Sequence, residues 1–157
     1  MNEEHVAASR LKEAFPEAVE EVAVFRGETT LVIRKEDLSA VGRFLKEDPD
    51  LHFDFLSLVC AVDYFPREPR FEMVYQLYSL KDHSRLRLKA RVHSEDPAVE
   101  SVTSIWPTAN WHERETYDLM GIRFHNHPDL RRILLPADWE GHPLRKDYPL
   151  RGPGRPA

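Results

Sequence analysis

The run Arg85-Leu86-Arg87-Leu88-Lys89-Ala90-Arg91-Val92 alternates without a break between cations and apolar residues. A period of two fits a pleated strand, whose successive side chains point to opposite faces. Leu86, Leu88, Ala90 and Val92 therefore line a core, while Arg85, Arg87, Lys89 and Arg91 line the other face. Two readings of that cation line stay open: a solvated antiparallel face, or a dock for an acidic partner. The preceding stretches extend the pattern. Residues 71–80 read as a strand, joined to the alternating run through the turn Lys81-Asp82-His83-Ser84. Residues 53–62 are nearly all apolar or β-branched, as expected of a central strand covered on both faces. Between them residues 64–70, with two prolines, read as a loop.

The earlier part of the chain supplies helices and a hairpin. Val6, Ala7, Leu11 and Ala14 mark a helix over residues 4–15 that Pro16 closes. Residues 22–25 and 30–33 form a predicted hairpin through Arg26-Gly27-Glu28, and Leu38, Val41 and Leu45 mark a second helix ending before Pro49. After Asp96-Pro97, residues 98–105 read as a short helix. Consecutive strands joined by short turns, with helices to cover them, predict an α+β two-layer sandwich with a mostly antiparallel or mixed sheet. A doubly wound nucleotide fold needs strands alternating with helices and a Gly-rich turn, and neither is present. Residues 1–149 are expected to form one domain, and the Pro/Gly/Arg tail, 150–157, is expected to be disordered when free.

Composition narrows the function. A chain of 157 residues holds one domain with a real core, and 31% charged with 41% hydrophobic residues describes a folded, soluble protein. The net charge of −5 argues against a general nucleic-acid binder. No apolar run approaches the roughly 20 residues that span a bilayer, and no signal-peptide pattern opens the chain, so the cytoplasm is expected. The single cysteine, Cys60, excludes a disulfide framework and a cluster held by four thiolates of this chain. It lies in an apolar run and reads as a core residue.

From Trp106 to Pro149 the sequence ceases to be generic. Asn110 is a candidate N-cap with Glu113 at capping-box spacing, and Gly121 is placed to end the helix they begin. Trp111, Arg114, Glu115 and Asp118 then share one helix face. An isolated Arg–Asp pair at i,i+4 contributes only about 0.2–0.5 kcal/mol, so the pair alone does not separate a solvated face from a buried network. The neighbouring Trp and the Arg- and Pro-rich chain downstream favour a network that is at least partly buried. Beyond Gly121, residues 122–124 suggest a short strand and Ile133-Leu134-Leu135 a buried anchor; the remainder, to Pro149, reads as an extended ordered loop.

Catalytic patterns are sparse. His125, His127 and Asp129, with His142, are a conceivable metal-ligand set, and Glu113, Glu115 and Asp118 a conceivable acid–base set. Eight histidines in 157 residues make chance proximity easy, and the interleaved Arg114 favours ion pairing over acid–base work. Neither a nucleophile elbow nor a phosphate-binding glycine loop is present. The chain reads as a binding or scaffold domain.

Glu113-Arg114-Glu115, Asp118-Leu119-Met120, His127, Arg131 and Ile133-Leu134, followed by Gly141-His142-Pro143-Leu144-Arg145-Lys146-Asp147-Tyr148-Pro149, resemble the diagnostic blocks of the thirty-kilodalton-type (or C) subunits of NADH-quinone oxidoreductase. The match is dense over residues 106–149 and thins toward the N-terminus. The resemblance implies a hydrophilic, non-catalytic subunit in the peripheral arm of respiratory complex I, on the cytoplasmic side of the membrane. It implies packing against the large quinone-site subunit and cluster-bearing neighbours. FMN, iron–sulfur clusters and quinone would belong to those partners, with membrane contact only through the complex. Related membrane-bound hydrogenases and dehydrogenases with an equivalent subunit remain an alternative, as does a small metal-dependent hydrolase using the His125/His127 region. The motif residues Trp111, Glu113, Arg114, Glu115, Asp118, His127, Arg131, Arg145, Lys146 and Asp147 are the candidates for a polar network or interface. Within residues 128–149, Arg131, Arg132, Arg145 and Lys146 alternate with Ile133, Leu134, Leu135, Trp139 and Leu144, the composition of a docking surface. The competing reading is a segment that only wraps its own domain.

Overall fold

A computed structural model describes residues 6–152. Its elements in chain order are α1 (Val6–Ala14), β1 (Val19–Phe25), β2 (Glu28–Ile33), α2 (Leu38–Glu47), β3 (Phe55–Asp63), β4 (Phe71–Tyr78), β5 (Arg85–Val92), β6 (Ala98–Glu100), α3 (Ala109–Met120) and β7 (Arg123–His125). Five strands form a mixed sheet in the order β1-β2-β5-β4-β3, parallel only between β2 and β5. The short β6 and β7 make a separate parallel pair. The helices pack on the five-stranded sheet, giving the α+β two-layer arrangement that the alternation predicts. Of the expected tail, residues 153–157 lie outside the described residues.

The alternating strand sets the register. Leu86, Leu88, Ala90 and Val92 are fully buried, and across β4 they face Leu77, Tyr75, Met73 and Phe71. Burial of a Leu-sized side chain stabilises by about 1.5–3 kcal/mol, so a one-residue slip that exchanged this set for cations is excluded. The β1–β2 hairpin closes through Arg26 and Gly27, both with positive φ (53° and 79°), as a two-residue turn of the right twist requires. From the helical layer, Leu11 of α1 and Leu38, Val41 and Leu45 of α2 enter the same core. Trp106 closes it at the far end, its indole N–H donating to the Phe53 carbonyl at 2.9 Å.

Three elements depart from the sequence expectation. First, β3 is an edge strand, with Leu56 and Val59 buried but Phe55, Leu58 and Val62 exposed, and Cys60, expected in the core, is only half-buried among them. An apolar run signals a strand without saying which of its faces is covered. Second, residues 98–105 are not a helix. Ala98 and Val99 pair with β7, and the Val102 N–H is drawn to the buried Glu113 carboxylate instead of a helical carbonyl. Third, the cation line of β5 is largely neutralised within the sheet. Arg87 bonds Glu28, Lys89 lies 2.7 Å from Glu72, and Arg91 reaches Glu20 and Glu21.

Candidate functional site

The candidate residues gather around the last turn of α3. The helix begins two residues earlier than expected: Thr108 takes the N-cap position in place of Asn110, and its hydroxyl donates to the Leu56 carbonyl of β3 and accepts no helix N–H. Gly121 ends the helix in the left-handed conformation, φ 70° and ψ 27°, its N–H on the Tyr117 carbonyl. A side chain there would meet His142 and Arg145, so glycine serves both the backbone and the close approach of the C-terminal segment.

Asp118 is the centre of the arrangement. Its carboxylate is fully buried; one oxygen accepts the backbone N–H groups of Ile133, Leu134 and Leu135 at 3.1, 2.8 and 2.9 Å. The other accepts Arg132 Nη1 at 2.8 Å. Burial alone would raise its pKa, but the three N–H donors and the Arg132 guanidinium outweigh that and hold it below the ordinary carboxylate range. The same segment caps the helix end, where backbone carbonyls are left without intrahelical donors. His142 Nδ1 donates to the Asp118 carbonyl at 2.9 Å, the Leu144 N–H to Leu119 at 3.1 Å, and Arg145 Nε to Met120 at 2.7 Å. Arg132 and Arg145 also bring positive charge to the negative end of the helix dipole.

Arg114 extends the network one turn back. Its guanidinium donates to the Arg131 and Arg132 carbonyls at 3.1 and 3.3 Å and stacks over the Trp111 ring at 5.5 Å. Trp111 itself is 65% exposed, and Glu115 is exposed and lies outside this network. The shared helix face is thus divided: Asp118 and Arg114 turn to the C-terminal segment, Trp111 to the surface. Arg131 is exposed and pairs with Asp129 at 3.0 Å.

Glu113 sits on the opposite, inward face. Its carboxyl takes the Ser101 hydroxyl at 2.7 Å and the Val102 N–H at 2.8 Å, not the helix start that a capping box requires. Burial pushes it up to about 7. The side chain of His127, equally buried, places Nε2 at 3.9 Å from it and 3.3 Å from the Asn110 carbonyl. His127 Nδ1 accepts the Asp129 N–H at 3.0 Å, which leaves Nε2 to carry the proton of the neutral ring.

A second clamp lies where the segment crosses the β3–β4 loop. Arg70, buried, donates two hydrogen bonds to Asp63, both 2.9 Å, and two to Asp147, at 3.0 and 2.7 Å. Asp63 also accepts the Lys146 backbone N–H at 2.9 Å. The Arg70 guanidinium holds both carboxylates below their usual range. Arg145 stacks over Phe71, while the Lys146 side chain is exposed. Arg132, Asp63 and Arg70 are the residues that sequence reasoning missed as network members. Their only signal is an acid and a base bracketing the 64–69 loop, and an Arg preceding an apolar triplet.

The metal-ligand and acid–base sets are not assembled. Among the described residues no group of three His, Cys, Asp or Glu converges as a metal site. His125 is exposed on β7, His127 faces Glu113, and His142 caps α3. Ile133-Leu134-Leu135 is also not a buried apolar anchor. Leu134 is 62% exposed, and the triplet holds the segment through its backbone N–H groups.

The family model for the respiratory-chain NADH dehydrogenase 30 kDa subunit matches residues 31–154. The C subunit of NADH-quinone oxidoreductase from Geotalea uraniireducens is 52% identical over 99% of this chain and 93% of its own length. That of Geobacter sulfurreducens is 51% identical over 99% and 95%. Among solved structures, a trypsin-resistant fragment (1–134) of Nqo5 superposes with a TM-score of 0.67 at 34% identity, over 80% of this chain and 100% of the fragment. A chain of the membrane-bound sulfane sulfur reductase, an archaeal respiratory membrane complex, shares the fold with a TM-score of 0.77 at 24% identity, over 91% of this chain and 84% of that one.

Two measurements check the network. Asp118→Asn keeps the shape but loses the charge and turns an amide N–H2 toward donors, so it should destabilise by about 3–5 kcal/mol in chemical denaturation, the typical loss on breaking a buried pair. Trp111→Ala should stay within about 0.5 kcal/mol, as exposed positions do; equal effects of the two would show that Asp118 is not the anchor. The second concerns pH. Glu113 has a raised folded pKa, so its contribution is complete below the unfolded value near 4.5 and is lost as pH rises through about 7. Between pH 4.5 and 8 the wild type should lose stability relative to Glu113→Gln by about 3 kcal/mol, at 1.36 kcal/mol per pKa unit. A pH-independent difference would mean Glu113 titrates normally.

Proposed function

The chain belongs to the family of the respiratory-chain NADH dehydrogenase 30 kDa subunit, and from that membership we propose that it works without an active site of its own, as a hydrophilic scaffold in the peripheral arm of a proton-translocating NADH:quinone oxidoreductase. It packs against the large quinone-site subunit and the cluster-bearing subunits on the cytoplasmic side of the membrane. FMN, iron–sulfur clusters and quinone are held by those partners. No helix among the described residues is long and apolar enough to cross a membrane; in this proposal, contact with the bilayer runs through the neighbours.

One observation supports the docking role above the others. The C-terminal segment satisfies its polar groups against its own domain, yet leaves Leu134, Trp139 and Leu144 exposed, the first and last by 62% and 59%. Trp139 also borders a groove of ≈ 700 Å³ with Pro136, Pro143, Tyr148 and Leu150. Apolar side chains on a pre-ordered loop bind with less entropy lost at docking, and Trp is among the residues that most often anchor interfaces. Arg145 is not part of that outward set, because it caps α3 and stacks on Phe71. The reading of Arg145 and Lys146 as paired docking anchors is accordingly narrowed to the exposed Lys146 side chain.

The test replaces Leu134 and Leu144 together with Glu in the native complex. The isolated variant should unfold within about 0.5 kcal/mol per site of the wild type. Its membranes should lose NADH:quinone reductase activity, and tagged variant should co-purify at least tenfold less of the other subunits. Unchanged assembly would remove this segment as the docking surface. Separately, the purified chain should show neither flavin nor cluster absorbance and no stoichiometric iron or zinc; finding any of these would overturn the non-catalytic reading.

A further inference from the structure

The outward face of the five-stranded sheet is split into two unlike halves. Across the pleat the register places Phe55 beside Tyr78 and Arg85, Leu58 beside Gln76 and Arg87, Cys60 beside Val74 and Lys89, and Val62 beside Glu72 and Arg91. On the β5 side of these rows Arg87, Lys89 and Arg91 are ion-paired with Glu72 and with the acids of β1 and β2. The β3 side has no charge from Phe55 to Val62, and Phe55, Leu58 and Val62 are 40%, 41% and 37% exposed. Edge strands of soluble proteins are ordinarily blunted by charge, as Glu20 and Glu21 blunt the other edge, β1. An uncharged outward stripe of this length on an edge strand marks a contact surface.

We propose that the outward face of β3 and the adjoining half of β4 is a second docking surface of this protein, and that it receives, from a neighbouring subunit, a segment with apolar side chains and a carboxylate. Two features fix that chemistry. Arg85 is exposed at the end of the stripe and, unlike the other three cations of β5, has no ion-pair partner among the described residues. It borders a groove of ≈ 430 Å³ with Phe55, Gln76, Tyr78 and Glu28, so an apolar side chain seated there brings an adjacent carboxylate to the guanidinium. The other end of the stripe runs from Val62 into Asp63, where the Lys146 backbone is bound. Asp63 itself turns to the buried side, so the stripe and the C-terminal segment approach one another at this end of β3 from the two faces of the sheet. The inference rests on the chain's membership of a multisubunit complex.

Cys60 supplies the probe, as the single thiol of the chain, half-buried in the middle of the stripe. In the isolated wild type a maleimide should label it; in the purified complex labelling should slow at least tenfold. Leu58→Glu and Arg85→Glu, both at exposed positions, should leave the unfolding midpoint of the isolated chain unchanged. Each should reduce co-purification of the complex's identified subunits at least fivefold, with Leu134 and Leu144 intact. Equal labelling of Cys60 in the free chain and the complex, or normal assembly of both variants, overturns the proposal. A concentration-dependent dimer of the isolated chain that Leu58→Glu abolishes overturns it in favour of a second copy as the occupant. If Leu58→Glu alone blocks assembly and Arg85→Glu does not, the carboxylate is wrong and the proposal falls in that form. If the wild type joins no complex at all, the reading of the chain as part of a larger complex has itself failed, an outcome distinct from all of these.

Discussion

A carboxylate buried at the C-terminal end of a helix is doubly unfavourable, because it leaves water and it faces the negative end of the helix dipole. Asp118 occupies that position in α3 and is fully buried. What makes it tolerable is the chain that follows: three consecutive backbone N–H groups from Ile133 to Leu135 and the guanidinium of Arg132. The dependence runs both ways. Without Asp118 those three N–H groups would need other acceptors, and the segment has no sheet or helix to provide them. His142 and Arg145 then extend the same logic to the unpaired carbonyls of the helix end. A proline-rich stretch with no regular structure is thereby held by polar contacts to one helix terminus.

The Asp63–Arg70–Asp147 clamp fixes the other end of the segment. Arg70 is a shared partner, since its fork serves Asp63 on one side and Asp147 on the other, with its plane over the rings of Phe65 and Phe71. A lysine could not reproduce two bidentate contacts at once. The two clamps differ in what they join. Asp118 ties the segment to a helix that itself leans on β3, while Arg70 ties it to the loop between β3 and β4. The edge strand, the helix and the C-terminal segment are consequently one mechanical unit.

How much of this the sequence revealed follows from where each signal resides. The register of β5 is written in its own alternation, and the α2 stripe and the Arg26-Gly27 turn are equally local. The edge position of β3 is not local: an apolar strand looks the same whether its outer face meets a helix, solvent or another protein. Asp118 and Arg114 stand out because charges share a helix face with a Trp, but apart from the Arg132 guanidinium the hydrogen-bond partners of their side chains are backbone groups of residues 131–135, which every sequence possesses and none advertises. The helix expected at 98–105 fails for the same reason. Its apolar residues suit either structure, and the buried Glu113 that captures the Val102 N–H is eleven residues away. Arg70 and Asp147 are 77 positions apart, and only the fold brings them together.

Pre-ordering of the C-terminal segment decides what kind of interface it can make. Fixing the backbone of one residue costs about 1–2 kcal/mol, so ordering some twenty residues on docking would cost on the order of 20–40 kcal/mol. A nanomolar complex has only about 12 kcal/mol of net binding free energy, and few contacts of this size could absorb such a loss and remain tight. The two clamps place that cost in folding, where the buried carboxylates, guanidinium groups and helix carbonyls offset it. Leu134, Trp139 and Leu144 are then presented on a rigid support, their burial available to binding with little deducted for ordering the backbone. Glu113, Arg114, Asp118, Arg145 and Asp147 of the charged motif are thus satisfied inside the chain, and in the proposed docking it is the exposed apolar residues between them that a partner would cover.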